Sequence, residues 1–238
     1  MYKYEEISNS LKKTFTSGKY QPGDLLPDQE QLAREFSTTR MTIRKAIQAL
    51  VTEGVVYTKR GAGTFLRKDY KLKERDLEAS IDKPFGTTVT YSGRKVTSKV
   101  LGLDARLPTE QEQEKLLIGP GEPVYVIRRV RYVDGRVYAF EHTIMPTKIA
   151  TITEKVLEGS VYQHLREEKH LQIAGSHRKV YAIKATTEDA EALGAEIGDP
   201  VLAITQVSYT DEGEPFEYST SHFPYQNSSI TADIVIKP

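Results

Sequence analysis

In residues 38–66 a stripe with the period of an α-helix runs straight into a segment that turns on glycines, and few folds accommodate that junction. Ile43, Ala46, Ile47 and Leu50 recur at i, i+3, i+4 and i+7, which places all four on one buried stripe. Met41, Arg44, Lys45 and Gln48 fall on the opposite face. Thr39 predicts an N-cap, so Arg40 and the free amides of the first turn point away from the helix start, where an anion would be favoured. Residues 55–58 and 64–66 then read as the arms of a hairpin. Its tip carries Lys59, Arg60, Gly61, Ala62 and Gly63, and the glycines allow close approach to another backbone or groove.

Upstream, Asp28 predicts a second N-cap, with Gln31 closing a capping box and Pro27 stapled against Leu32. That helix stops near Phe36, leaving Ser37 and Thr38 before the next cap. Two helices joined so tightly form a helix-turn-helix, whose second helix can enter a major groove, and the hairpin makes it a winged one. Tyr4, Ile7, Leu11 and Phe15 predict a first helix ending at Gly18, after which Leu25 and Leu26 supply a short strand for the hairpin.

The formal net charge of +0 argues against nucleic acid until the chain is divided. Residues 1–75 hold 15 Lys+Arg and 9 Asp+Glu, or +6, which leaves 33−15=18 against 33−9=24, or −6, for the remainder. A basic head on an acidic remainder fits a DNA-binding module followed by a separate domain. The absence of Cys excludes disulfides and thiolate metal sites and fits a reducing cytoplasm. Residues 1–17 are charged and amphipathic, with no signal peptide, and no apolar run reaches the length of a membrane span. The charged run 67–76 reads as a linker, which sets expected domains at 1–66 and 77–238.

Beyond residue 77 strands dominate, and the expected class is α+β. Residues 124–133 and 136–145 pair through the Asp134-Gly135 turn, and 201–210 with 215–223 form a second hairpin. Further strands are expected at 180–185 and 230–236, and a helix at 161–168. The two regions repeat each other: Thr109, Leu116 and Gly121-Glu122-Pro123-Val124 are answered by Thr187, Leu193 and Gly198-Asp199-Pro200-Val201. Two capped-helix-and-hairpin units joined edge to edge predict one antiparallel sheet with helices on one side and a cleft at the junction.

Arg129 and Arg131 share a strand face, with Arg129 nearly opposite Glu141 on the partner strand or one step off it. Such a group grips an anion with the arginines and accepts hydroxyls at the acid, or makes a cross-strand salt bridge. The five His residues lack metal-ligand spacing and fit surface or core roles, and neither a phosphate-binding loop nor a cofactor fingerprint is present.

The run Leu26-Pro27, Leu32-Ala33, Phe36, Arg40 to Ala46, Glu53-Gly54 and Gly61 to Phe65 resembles the DNA-binding domain of the GntR superfamily of bacterial transcription regulators. The resemblance implies that Arg40, Thr42 and Arg44, beside Lys45 and Gln48, contact bases or phosphates, and that Lys59, Arg60, Gly61 and Gly63 form the wing contacts. Relatives usually carry Ser-Glu-Arg where this chain has Asp28-Gln29-Glu30, and Glu30 repels phosphate. The remainder, through Arg129-Val130-Arg131, Glu141, Ser160-Val161-Tyr162 and Phe216-Glu217, resembles the UTRA effector-binding domain of the HutC branch, which shares its fold with chorismate lyase. The resemblance implies a homodimeric regulator, a repressor before an activator, on a palindromic double-stranded operator, with its operator binding modulated in either direction by a sugar phosphate or other sugar-derived anion. The implied effector residues are Arg129, Arg131, Glu141, Ser160, Tyr162, Glu217, Ser80 (with Ile81 and Asp82) and Phe223. At that last position this chain has Phe223-Pro224-Tyr225-Gln226 in place of a Tyr-Arg-x-Asp run. The alternative is a chorismate-lyase-like enzyme fused to a DNA-binding head.

Overall fold

The structure is a computed structural model that describes residues 3–69, 79–80, 86–91 and 93–231. These fall into two compact units, one within Met1–Arg75 and the other within Asp76–Thr231. Of the expected linker, residues 70–76 lie outside the described residues.

The first unit runs α1 (Lys3–Thr16), α2 (Gln29–Glu35), α3 (Arg40–Thr52), β1 (Val56–Lys59) and β2 (Gly63–Leu66). The stripe read from the sequence is the core: Ile43, Ala46, Ile47 and Leu50 are buried together with Ile7, Leu11, Phe15 and Leu32. Asp28 caps α2 by accepting from the amides of Glu30 and Gln31 at 2.9 and 2.8 Å. Gln31 therefore serves the cap through its backbone, not through the side-chain bond that a capping box requires. Ser37 turns the chain between α2 and α3 at φ 47°. Leu25 bridges Phe65, and the Leu26 amide donates to the Thr64 carbonyl at 2.8 Å, adding the expected third strand to the hairpin.

The second unit contains β3 (Ala79–Ser80), α4 (Gly86–Thr90), β4 (Val96–Arg106), α5 (Glu110–Leu116), β5 (Val124–Val133) and β6 (Arg136–Pro146). It continues with α6 (Glu154–Glu158), α7 (Val161–Lys169), β7 (Ile173–Lys184), α8 (Thr187–Leu193), β8 (Pro200–Thr210), β9 (Pro215–Pro224) and β10 (Ile230–Thr231). Six strands form one antiparallel sheet in the order β4-β5-β6-β9-β8-β7, with β6 beside β9 at the junction of the halves. Each half is strand, helix, hairpin, so the repeat is larger than the sequence comparison indicated. Its caps are Thr109 and Thr186, each closing a capping box with an acid three residues on, so Thr186 rather than Thr187 answers Thr109.

Helices cover both faces of the sheet, not one. Leu116 of α5 packs on Val124 and Ile144, and Leu193 of α8 on Val130, Phe140 and Val201. Leu157 of α6 and Leu165 of α7 pack with Ile127 and Met145 on the other side. The reason is strand alternation: even-numbered β5 residues face one pair of helices, while Ile127, Arg129 and Arg131 face the other.

Candidate nucleic-acid interface and binding pocket

At the start of α3, Thr39 is extended and its hydroxyl accepts from the Thr42 amide at 3.2 Å. Burying the Ile43 stripe turns Arg40, Arg44, Lys45 and Gln48 outward, and all four are exposed, with Thr42 half-buried at the first turn. Arg40 has a neighbour of opposite charge, its Nη1 lying 3.4 Å from Glu30 Oε1. At the wing, Lys59 pairs with Gly63 across the hairpin, and Lys59, Arg60 and Gly61 are exposed. The two wing glycines differ in their surroundings. Gly61 has φ 74° and open space around it, as close approach to a ligand requires. Gly63 has φ 111°, which L side chains rarely adopt, and a Cβ there would lie 2.7 Å from Leu25 Cδ1, the tip of an exposed side chain that can move aside.

In the second unit a pocket opens between the sheet, α4 and the start of α7, enclosing about 420 Å³ of empty space with its mouth included. Arg129 and Glu141 are register partners on β5 and β6, with Nε and Oε2 2.7 Å apart. Arg129 Nη1 also donates to the Leu157 carbonyl at 3.2 Å. Arg131 is almost wholly buried: Nη1 donates to Ser98 Oγ and the Gly159 carbonyl, at 3.0 and 3.1 Å, and Nη2 to Thr88 Oγ1 at 2.9 Å. Its Nε has no partner. Burial pulls the Arg131 guanidinium down to about 10, which leaves it charged at neutral pH. Burial pushes the Glu141 carboxyl up, but Arg129 and Arg131, with hydrogen bonds from Arg129 and Thr87, outweigh it and hold the group below the ordinary carboxylate range.

The opposite wall carries the acid Glu217, and Arg178 on the neighbouring strand donates from Nε to Gln206 Oε1 at 2.9 Å. Glu217 Oε1 accepts from Gln206 Nε2 and Ser219 Oγ, both at 2.9 Å, and from the Tyr162 hydroxyl at 3.1 Å. Burial dominates there and raises the Glu217 carboxyl; it also raises the Tyr162 hydroxyl, which lies 2.8 Å from Ser208 Oγ. Gln206 and Ser208 hold in β8 the places that Arg129 and Arg131 hold in β5, Val124 and Val201 being the matched starts. The duplication has thus been made unequal at these two positions, with Arg129 and Arg131 in one half answered by the neutral Gln206 and Ser208 in the other.

The pocket brings together Arg129, Arg131, Glu141, Ser160, Tyr162 and Glu217 of the expected set. Ser160 also caps α7, accepting from the Gln163 amide at 3.2 Å. Phe223 is not part of the lining: its ring is buried edge-on against Tyr138, in a cluster with Tyr91, because apolar partners close over that end of β9. The backbone of Ser80 pairs with Thr231, while Ile81 and Asp82 lie outside the described residues. Sequence reasoning missed Thr87, Thr88, Thr143, Gln206, Ser219 and Ser221. Alternation from Glu141 and Glu217 would have found Thr143, Ser219 and Ser221, and the repeat would have found Gln206. Nothing in the short α4 announces its threonines. His222 sits 2.6 Å from Asp189, tying α8 to β9, and no metal-binding cluster occurs among the described residues. No helix among them is long and apolar enough to cross a membrane.

Comparison with known proteins gives two family matches: bacterial regulatory proteins of the gntR family over residues 3–66, and the UTRA domain over residues 91–227. The chain is 36% identical to the HTH-type transcriptional regulator GmuR of Bacillus subtilis, covering 98% of each chain. It is 28% identical to the mannosyl-D-glycerate transport/metabolism system repressor MngR of Escherichia coli, covering 96% of this chain and 94% of that one. The crystal structure of YydK from Bacillus subtilis, described as a possible transcriptional regulator, superimposes with a TM-score of 0.80 at 30% identity, over 99% of this chain and 100% of that one.

Proposed function

Since the chain belongs to the GntR family of bacterial regulatory proteins and carries a UTRA domain, we propose that it is a repressor whose hold on a palindromic operator is released by a sugar-derived anion. The family and the relatives are transcription regulators, not enzymes, and the lyase-like alternative has no support. In this reading a head of residues 1–66 is joined through 67–76 to an effector-binding and dimerising part, 77–238. Arg40, Thr42 and Arg44, with Lys45 and Gln48, meet the major groove, and Lys59 to Gly63 make the wing contacts. Two heads are needed because one makes too few contacts for specific binding.

The observation that carries the reading is the polarised pocket. Arg129 and Arg131 offer an anion two guanidiniums, Thr87, Thr88 and Ser160 add hydroxyls beside them, and Glu217 with Gln206 faces them with groups that take hydroxyls. A monosaccharide bearing one phosphate or carboxylate fits that division, and the relative MngR is a repressor of a mannosyl-D-glycerate transport/metabolism system. A bound effector shifts the heads between geometries that match the two half-sites and geometries that do not.

The test is a thermal-shift panel of sugar phosphates, sugar acids and free sugars, with Arg129→Ala as control, followed by release of DNA by the ligand found. A rise in Tm with one sugar anion, lost in the variant, supports the reading. Stabilisation by free sugars alone, unaffected by the substitution, would remove it.

A further inference from the structure

The two helix starts of the DNA-binding head are built with opposite chemistry. At α2 the cap is the Asp28 carboxylate, whose Oδ1 takes both the Glu30 and Gln31 amides. A negative charge therefore already occupies the place where a phosphate oxygen would sit. At α3 the cap is the neutral hydroxyl of Thr39, and Arg40 is the first helical residue. Between the two starts, Glu30 Oε1 lies 3.4 Å from Arg40 Nη1, with the side chains 66% and 68% exposed. So exposed a pair adds next to nothing to folding, and its consequence lies in what Arg40 can touch.

A guanidinium presents five N–H donors in a fixed fork. With Nη1 directed at Glu30, Nη2 and Nε remain available for a two-acceptor edge such as guanine O6 and N7. A phosphate approaching the same arginine meets two carboxylates, Asp28 and Glu30, whereas a base edge carries no net charge to repel.

Resting on the DNA-binding reading above, we infer that Glu30 is a positioning residue that aims Arg40 at base edges and denies it to phosphates, and so sets the ratio of specific to non-specific DNA affinity. Without Glu30, Arg40 becomes one more phosphate contact, which strengthens binding to every sequence alike.

The test uses the full chain, a pool of random-sequence duplexes as the non-specific probe, and a duplex selected from that pool by the wild-type protein as the specific one. Affinities for both are measured by anisotropy across a salt series for wild type, Glu30→Gln, Arg40→Ala and the double variant, with Tm as a check on folding. Glu30→Gln tightens binding to the random pool by about threefold to tenfold and steepens its salt dependence by about one unit, with a smaller gain on the selected duplex, so the ratio falls. In the Arg40→Ala background the same substitution changes the ratio by less than about twofold, because the two residues act as a unit. An equal gain on both probes, or a fall in ratio that persists without Arg40, overturns the inference while leaving DNA binding intact. A wild-type protein that selects no duplex and shows no salt-dependent affinity overturns the DNA-binding reading itself.

Discussion

Arg129 and Glu141 face each other across β5 and β6 with Nε and Oε2 2.7 Å apart, and the two side chains are only 12% and 14% exposed. A pair this buried is held by its neighbours as much as by its own attraction, since both charges have left water. Removing one partner strands the other.

Glu141→Ala leaves Arg129 and Arg131 adjacent and uncompensated, and should destabilise the second unit by about 3–5 kcal/mol. Arg129→Met combined with Glu141→Leu should cost less than the sum of the two single changes. Denaturant unfolding of the four proteins gives the coupling, and an additive cycle would mean that the bond contributes nothing of its own.

Two carboxyls of the pocket give stability opposite pH dependences. Glu217 is raised by burial, so its contribution is fully present below the ordinary glutamate value and is lost as pH rises through the folded value. Glu141 is lowered, so its contribution is present above that value and is lost as pH falls through the folded one. Glu217→Gln removes only the first dependence. Its Tm relative to wild type should therefore climb as pH rises from the ordinary carboxylate range towards neutrality, and a Tm difference that stays flat across that range would contradict the assigned direction.

The wing glycines should respond differently to alanine. Gly61→Ala forces a residue with a Cβ into the left-handed region and should cost about 1–2 kcal/mol. Gly63→Ala, at φ 111°, lies further from the left-handed minimum and should cost more, with Leu25→Ala restoring little because that exposed side chain can move aside. The unfolding midpoint of the first unit reads both effects, and equal costs would contradict the greater backbone strain assigned to Gly63.

Strong periodicity made most of the fold legible. Ile43, Ala46, Ile47 and Leu50 could not be read as anything but a helix face, and the Asp134-Gly135 turn marked the hairpin, although the one-residue register shift between Arg131 and Tyr132 is what sets Arg129 opposite Glu141 and not Phe140. The edge strand β4 escaped notice because its side chains are at most half-buried and polar residues interrupt it. The pocket's charged wall was legible because it stands on paired strands; Thr87 and Thr88 were not, because α4 is held by those hydroxyl contacts to Glu141 and Arg131 and has no fully buried residue of its own. A resemblance assigns Phe223 only a position along a strand, whereas neighbouring aromatic rings put it in the core cluster with Tyr91 and Tyr138.

The repeat ends on a contrast between its two helices. In the first half, the capping acid Glu112 is tied to the sheet by both terminal nitrogens of Arg106, each at 2.7 Å. In the second, the matching acid Asp189 is 1% exposed and is tied by His222 Nδ1 at 2.6 Å, beside the Thr186 amide and hydroxyl. Burial pushes the Asp189 carboxyl up, and the Thr186 and His222 bonds more than offset it, so this acid too adds stability that is lost as pH falls through its lowered value. His222→Ala leaves a buried carboxylate short of a donor and should cost about 1–3 kcal/mol. α8 has only seven residues, and beside this bond it is held to the sheet by Leu193 and Ala192 and by the exposed Glu188–Arg128 pair. Hydrogen exchange at α8 should therefore accelerate in the variant while α5, still clamped by Arg106, keeps its wild-type rate; equal acceleration in both helices would mean that the histidine supports the whole sheet and not its own helix.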